Sequence, residues 1–286
     1  MNRVVTLMNG VEMPAVGFGT YKIAEGGEDL IAEAIRVGYR HLDTAAYYKN
    51  EEVVGEGIRR SGVSRDDIFL TTKAWTGDMG YHNVQRSFAK SCERLGTDYI
   101  DLYLIHWPRV AANDPDWERT NAETWHALED LYSAGRVRAI GVSNFLKHHL
   151  QTLEETAMIL PMVDQLEYHP GWTWRDTVIF AQAAGMIVEG WSPMGRTRVF
   201  ENELLRALAE KYGCNVGQLC LRWAMQNGVV PLPKTATPER MRGNLELEFF
   251  VISSEDMAAI DALPELGWSG LHPDHQGAPV AMDAIE

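Results

Sequence analysis

Four polar side chains in the sequence stand where they could do chemistry together. Asp43 closes the run RHLD (40–43), Tyr48 lies a few residues beyond it, Lys73 closes IFLTTK (68–73) and His106 follows IDLYLI (100–105). A buried lysine with a carboxylate partner stays protonated, and its charge lowers the pKa of a nearby phenol. A phenol tuned in this way becomes a proton donor near neutral pH. An imidazole beside it could hydrogen-bond the same substrate oxygen and fix its orientation. Such a group polarises a carbonyl oxygen and protonates it as charge develops. No side chain supplies a hydride, so a redox cofactor must. Each residue also has an ordinary structural reading: a helix cap for Asp43, an amphipathic rim position for Tyr48, a solvent-facing strand end for Lys73, a hydrogen-bonded core residue for His106. Their arrival on three consecutive strand ends sets the group apart.

The elements that must bring them together are legible as alternation. VVTL, Asn9-Gly10 and VEMP read as a hairpin, and Asn-Gly suits a type I′ turn because both residues accept positive φ. Short β-type runs then follow at AVGF (15–18), RHLD, IFLTTK, IDLYLI, VRAIGV (137–142), MVDQL (162–166), MIVEGW (186–191) and GVVPL (228–232). Longer stretches with one apolar face lie between them, such as 28–38, 83–96 and 121–135, ending at Gly38, Gly96 and Gly135 as helices do. Eight strands each followed by a helix is the count of a closed parallel (β/α)8 TIM barrel, whose active sites lie at the carboxyl ends of the strands. A doubly wound dinucleotide fold would want G-x-G-x-x-G between a strand and a helix. Gly17-Phe18-Gly19-Thr20-Tyr21-Lys22 lacks the third glycine, so the barrel is the expected fold.

Composition sets the outer limits. The 286 residues, 45% hydrophobic and 23% charged, supply an ordinary core, and one barrel domain accounts for 1–286. A net charge of −14 excludes nucleic acid and anionic membrane as general partners. Cys92, Cys214 and Cys220 are odd in number and lack metal-ligand spacing, which fits reduced thiols. With no secretory-type apolar stretch in the first residues and no candidate span, the chain reads as cytoplasmic.

The strings GFGTY (17–21), HLDTAAYYKNEEVVGEGI (41–58), DLYLIHWP (101–108), GVSNF (141–145), EYHP (167–170) and PKTATPER (233–240) resemble the signatures of the aldo-keto reductases, in order along most of the chain. The tail after the last helix is short, similar to the prokaryotic branch that includes 2,5-diketo-gluconate reductases. The resemblance implies that Asp43, Tyr48, Lys73 and His106 form the catalytic tetrad. Tyr48 would be the general acid, His106 would orient the carbonyl and NADPH would be the hydride donor. It further implies that Ser143, Asn144 and Gln165 hold the nicotinamide carboxamide. Trp191, where the family more usually has Tyr or Phe, would stack on the nicotinamide, with Ser192 and Met194 beside it. Gly19, Thr20, Tyr21 and Asp43 belong to the same cofactor set. Lys234, Thr235 and Arg240 match the group gripping the adenosine 2′-phosphate, a sound arrangement because charge-assisted hydrogen bonds are strong. Asn244 matches an adenine contact, whereas Gly243 stands where the family often has Glu.

On the substrate side, Trp75 and Trp107 match aromatic pocket walls, and Tyr21 and the C-terminal Trp268, Leu271 and His272 are expected at the mouth. His272 and His275 have H-x-x-H spacing but no acidic partner at ligand spacing, so no metal is expected. The expected partner is a small-molecule carbonyl compound, with the chain a monomer. Two other functions fit parts of the pattern. One is an aldolase-like barrel with Lys73 as a Schiff-base lysine; the other is a non-catalytic binding module.

Overall fold

The computed structural model describes residues 3–109, 111 and 113–274. Two short strands, β1 (Val4–Thr6) and β2 (Glu12–Pro14), pair antiparallel as a hairpin before the barrel begins. Its turn is not type I′. Gly10 takes positive φ (85°) and Asn9 does not, and the Gly10 N–H donates to the Leu7 carbonyl at 2.8 Å. This is the longer kind of hairpin loop, with one left-handed glycine. Asn9 is engaged elsewhere: its amide donates to the Arg138 carbonyl (2.9 Å), tying the hairpin to the barrel.

Eight parallel strands follow: β3 (Phe18–Gly19), β4 (His41–Asp43), β5 (Phe69–Ala74), β6 (Ile100–Ile105), β7 (Val137–Ser143), β8 (Val163–Glu167), β9 (Ile187–Trp191) and β10 (Val229–Leu232). They are hydrogen-bonded in chain order. The first strand is shorter and later than AVGF suggested, because Ala15 is still bonded to Arg3 beside the hairpin. Closure comes from the Gly17 and Gly19 N–H groups, which donate to the carbonyls of Pro231 and Pro233 at 3.0 Å each. The seam has no room for a side chain, since a Cβ on Gly17 would lie 2.4 Å from Leu232 Cδ2.

Helices α1 (Glu28–Val37), α2 (Glu51–Ser61), α3 (Tyr81–Leu95), α4 (Trp117–Ser133), α5 (Lys147–Glu154), α6 (Arg175–Ala183), α7 (Glu203–Lys211), α8 (Val216–Gln226), α9 (Pro238–Leu245) and α10 (Ser254–Asp261) connect and follow the strands. Most lay an apolar stripe toward the sheet, though α9 and α10 each bury one polar residue beside one apolar one, Asn244 with Met241 and Asp256 with Ile260. On α3 the stripe consists of Val84, Phe88, Cys92 and Leu95, all buried at helical spacing. Fully burying a side chain such as Phe88 contributes roughly 1.5–3 kcal/mol. No helix among the described residues is long and apolar enough to cross a membrane.

The register is what assembles the site. Lys73 pairs with Leu104, Ser143 with Gln165, Gln165 with Glu189, and Trp191 with Leu232, so polar residues of successive strands reach the carboxyl end together. Gly141 allows β7 and β8 to approach closely, for a Cβ there would lie 2.5 Å from the Val163 carbonyl oxygen. Gly141→Ala is therefore expected to destabilise the protein by about 1–3 kcal/mol, the usual cost of overpacking, read as a lowered urea midpoint.

Backbone strain is distributed unevenly. Lys22, Lys49, Asn144, Trp174, Ser192, Arg196 and Thr197 are the described non-glycine residues with positive φ. All lie on loops leaving the carboxyl ends of strands. Turns from helix into strand at the opposite end use glycine instead, as at Gly96 (φ 66°) and Gly135 (φ 69°).

Candidate active site

A cavity of about 430 Å³ opens at the carboxyl end of the barrel. On its floor the Lys73 ammonium donates to both carboxylate oxygens of Asp43 (2.8 and 2.7 Å) and to the Thr44 carbonyl (3.0 Å). Its fourth near neighbour is the Tyr48 hydroxyl at 3.5 Å. Lys73 is fully buried, being a strand residue whose side chain points into the barrel. Tyr48 arrives on a single 3-10 turn (Ala46–Tyr48) just after β4. His106, following β6, meets the Tyr48 ring edge-to-face at 5.7 Å between centroids. The four residues picked from strand ends thus share one point.

Electrostatics there differ from the sequence expectation in one respect. Burial, reinforced by the Asp43 carboxylate, pushes the Tyr48 phenol well above its usual range rather than below it. The reason is geometric: both oxygens of Asp43 neutralise Lys73, so little net positive field reaches the phenol. Tyr48 is accordingly a protonated hydroxyl at neutral pH, in the right state to donate. Burial, aided by the Lys73 charge, holds the His106 imidazole well below its usual range, so the ring is neutral. The paired Lys73 also speaks against a Schiff-base role, which needs a free amine.

Above this floor the walls are aromatic. Trp75 stacks on Tyr47 at 3.8 Å between centroids and meets His106 edge-on; Trp107 and Tyr21 complete that side. Tyr47 was not among the residues singled out from sequence, although it adjoins Tyr48 in the same turn. Trp268 does not line the cavity: it stacks on Trp172 at 4.6 Å, and Leu271 reaches the cavity in its place. The remaining wall presents amide and hydroxyl groups. Ser143 Oγ donates to the Gln165 carbonyl (2.9 Å), and Asn144 Nδ2 donates to the His106 carbonyl (3.0 Å). The Trp191 indole N–H donates to Asn144 Oδ1 at 2.9 Å, a bond that a Phe at this position could not make. Gly19, Ser192, Met194 and Lys234 also line the cavity, as does Arg196, which the sequence reading did not mark.

Other expected cofactor residues stand apart from it. Thr20 is fully buried, its hydroxyl donating to the Asp43 carbonyl at 2.9 Å, which braces the tetrad rather than facing the cavity. Thr235 accepts the Thr237 N–H (3.2 Å), and Arg240 is exposed on the first turn of α9. Asn244 is buried beside Tyr39. Lys234, at the cavity, and Arg240, on α9, are both exposed and make no ion pair among the described residues.

The model for the aldo/keto reductase family matches residues 15–265. The chain belongs to this family. It is 46% identical to the glyoxal reductase of Bacillus subtilis over 272 residues, 94% of this chain and 96% of that protein. It is 38% identical to the methylglyoxal reductase of Yersinia pestis over 266 residues, 92% of this chain and 93% of that one. Among solved structures, a variant of Gox0644 in complex with NADPH superposes with a TM-score of 0.88 at 36% identity, covering 96% of this chain and 98% of that chain. The protein is thus an NADP-dependent oxidoreductase that reduces carbonyl compounds.

Of the metal question, His275 lies outside the described residues. A different trio, His148, His149 and Asp274, does converge, with ligand atoms all within 4.8 Å of one another. His149 Nδ1 accepts the Leu146 N–H (3.0 Å), so in the neutral ring the proton sits on Nε2, 3.0 Å from Asp274. A metal would need that nitrogen's lone pair, and the Arg109 guanidinium already lies 3.4 Å from the same carboxylate. The trio is a clasp holding the C-terminal segment to α5.

Proposed function

We propose that this reductase uses NADPH to reduce a small aldehyde or ketone to the alcohol, with Tyr48 as proton donor. α-Dicarbonyls and keto-sugars are the favoured substrates, in the manner of the 2,5-diketo-gluconate reductase branch. One observation carries the reading: the Tyr48 hydroxyl stands 3.5 Å from a fully paired Lys73–Asp43 couple at an aromatic cavity. NADPH, when bound, supplies the hydride to the carbonyl carbon.

The chain's own residues do the rest. Tyr48 donates its hydroxyl proton to the carbonyl oxygen as negative charge gathers there. The phenolate left behind can accept a hydrogen bond from the Lys73 ammonium, 3.5 Å from the phenol oxygen, which offsets part of the cost that burial and Asp43 place on its charge. Neutral His106 orients the same oxygen with a ring N–H. Trp75, Tyr47 and Trp107 exclude water from the reacting carbonyl. The fit to the cofactor rests on the amides of Asn144 and Gln165, the Trp191 ring bonded to Asn144, and the exposed cations Lys234 and Arg240, which make no ion pair among the described residues. The relatives named for glyoxal and methylglyoxal reduction support the dicarbonyl class. A barrel closed on itself leaves no sheet edge that demands a partner, which supports reading the enzyme as a monomer.

Absorbance loss of NADPH against aldehydes, dicarbonyls and keto-sugars, repeated with NADH, tests this directly. Turnover with NADPH supports the reading; tight NADPH binding without turnover on any carbonyl would favour the binding-module alternative. A charge-assisted hydrogen bond contributes about 1.5–3 kcal/mol. Removing both cations in Lys234→Ala/Arg240→Ala should therefore lower the NADPH-over-NADH ratio of kcat/KM by about a hundredfold or more. An unchanged ratio would place the 2′-phosphate elsewhere.

A further inference from the structure

Beneath Asp43 a second buried polar group continues from Gln165 to Glu189 and His41, and no step above uses Glu189 or His41. Gln165 Nε2 lies 2.8 Å from Asp43 Oδ2 and 2.8 Å from Glu189 Oε2. An amide nitrogen carries two hydrogens, so these two carboxyl groups take both. On its other side Glu189 Oε1 lies 3.4 Å from His41 Nε2, which in turn contacts Thr71 Oγ1 at 3.2 Å. Gln165, Glu189 and His41 are all essentially inaccessible to solvent.

We propose that Glu189 is a positioning residue: it holds one amide hydrogen of Gln165 while Asp43 holds the other, so that Gln165 can offer the cofactor only its carbonyl oxygen. The inference rests on the NADPH-dependent reading above. Without Glu189 the amide could rotate and present a mixture of donor and acceptor to the nicotinamide carboxamide. With it, the cavity shows a fixed acceptor at that point, and Asp43 is kept in place by a second strand as well as by Lys73.

The arrangement favours a protonated Glu189, with His41 Nε2 3.4 Å from its Oε1. Asp43 is already a buried anion balanced by Lys73, and a second unbalanced carboxylate beside it would be strongly unfavourable. Burial, with the Asp43 charge adding to it, pushes the Glu189 carboxyl up to about 8, and burial pushes the His41 imidazole down to about 4. At neutral pH both are uncharged and the proton sits on Glu189. The charged or titratable groups facing Glu189 are His41 and Asp43 on β4 and Lys73 on β5, with the Gln165 amide on β8. β10 presents Val230 in register and adds no charge. Asp101, which acts on His41 from β6, is itself paired with Arg65 and Arg138.

The sign of the pH dependence follows. An acid whose folded pKa is raised binds more protons folded than unfolded, so its contribution makes stability fall as pH rises from about 4.5 to about 8. His41, with its folded pKa lowered, acts oppositely between about 4 and 6.5, so the Glu189 effect is cleanest from pH 6.5 to 8. Glu189→Gln mimics the protonated acid, and Glu189→Leu removes the acceptor.

The test measures NADPH dissociation constants by fluorescence quenching and urea midpoints from pH 6.5 to 8 for the full-length wild type and both variants. Glu189→Leu should weaken NADPH binding about tenfold, the scale of one lost hydrogen bond. Glu189→Gln should restore binding, and its urea midpoint should fall less steeply with pH than that of the wild type. Wild-type affinity in Glu189→Leu, or failure of Glu189→Gln to restore it, would overturn the positioning role. A wild-type pH slope retained in Glu189→Gln would overturn the protonation of Glu189. If the wild type itself does not bind NADPH, the functional reading fails instead, and the pH slopes still report on the Glu189 proton.

Discussion

Tyr48→Phe is expected to bind NADPH as the wild type does while reducing carbonyls on the order of 10²–10⁴ times more slowly, the range a positioned general acid supplies. The reason lies in what surrounds the phenol. Its oxygen faces Lys73 at 3.5 Å, and burial together with Asp43 keeps its proton on until a stronger base forms nearby. Phenylalanine retains the ring contacts with Tyr21 and His106 but removes the proton and the anion that Lys73 would stabilise. Stopped-flow and steady-state assays separate the two effects. A Phe variant with near wild-type kcat would mean that the proton comes from elsewhere, and His106 would be the next group to test.

Asp43→Ala should be the most destabilising of the simple site variants. It strands a fully buried ammonium that the wild type pairs at 2.7 and 2.8 Å, and breaking such a pair from one side costs about 3–5 kcal/mol. It also frees one hydrogen of Gln165. The double variant Asp43→Ala/Lys73→Met should regain much of the lost stability, because no charge is left uncompensated, yet remain inactive. Urea unfolding and NADPH oxidation on the same preparations give both readouts. A single variant within 1 kcal/mol of wild type would show that water or another group satisfies Lys73 without Asp43.

Much of this was visible in the sequence for a physical reason: parallel strands buried on both faces read as apolar runs, and a polar residue ending such a run must point at the site. Asp43, Lys73 and His106 announced themselves in that way. Glu189 and His41 carried a similar signal, a charged or polar residue inside MIVEGW and RHLD, which strand-end reasoning passed over because they lie below the rim. Trp268 could not be placed from sequence, since its seat depends on Trp172, nearly a hundred residues away in the chain. The Asn9-Gly10 turn was misassigned because local propensity favours positive φ at both residues. Here the Asn9 side chain reaches Arg138, a contact that only the folded barrel provides. Tyr48 lies beside Lys73, but burial and the Asp43 carboxylate raise its pKa where Lys73 alone would lower it. A lysine's pull on a nearby phenol is reduced when a closer carboxylate offsets its charge.

The uneven placement of left-handed backbone has a practical corollary for anyone who would harden this enzyme. Each side-chain-bearing residue held at positive φ costs of the order of 1–3 kcal/mol. Those at Asn144, Ser192, Arg196 and Thr197 all border the cavity. The end of the barrel that turns on glycine offers little strain to relieve. A screen selecting only for heat resistance will therefore be drawn to the catalytic rim, where each degree gained comes from relaxing the loops that aim Asn144 and Trp191. Selection for thermal tolerance and selection for turnover will pull the same few residues in opposite directions.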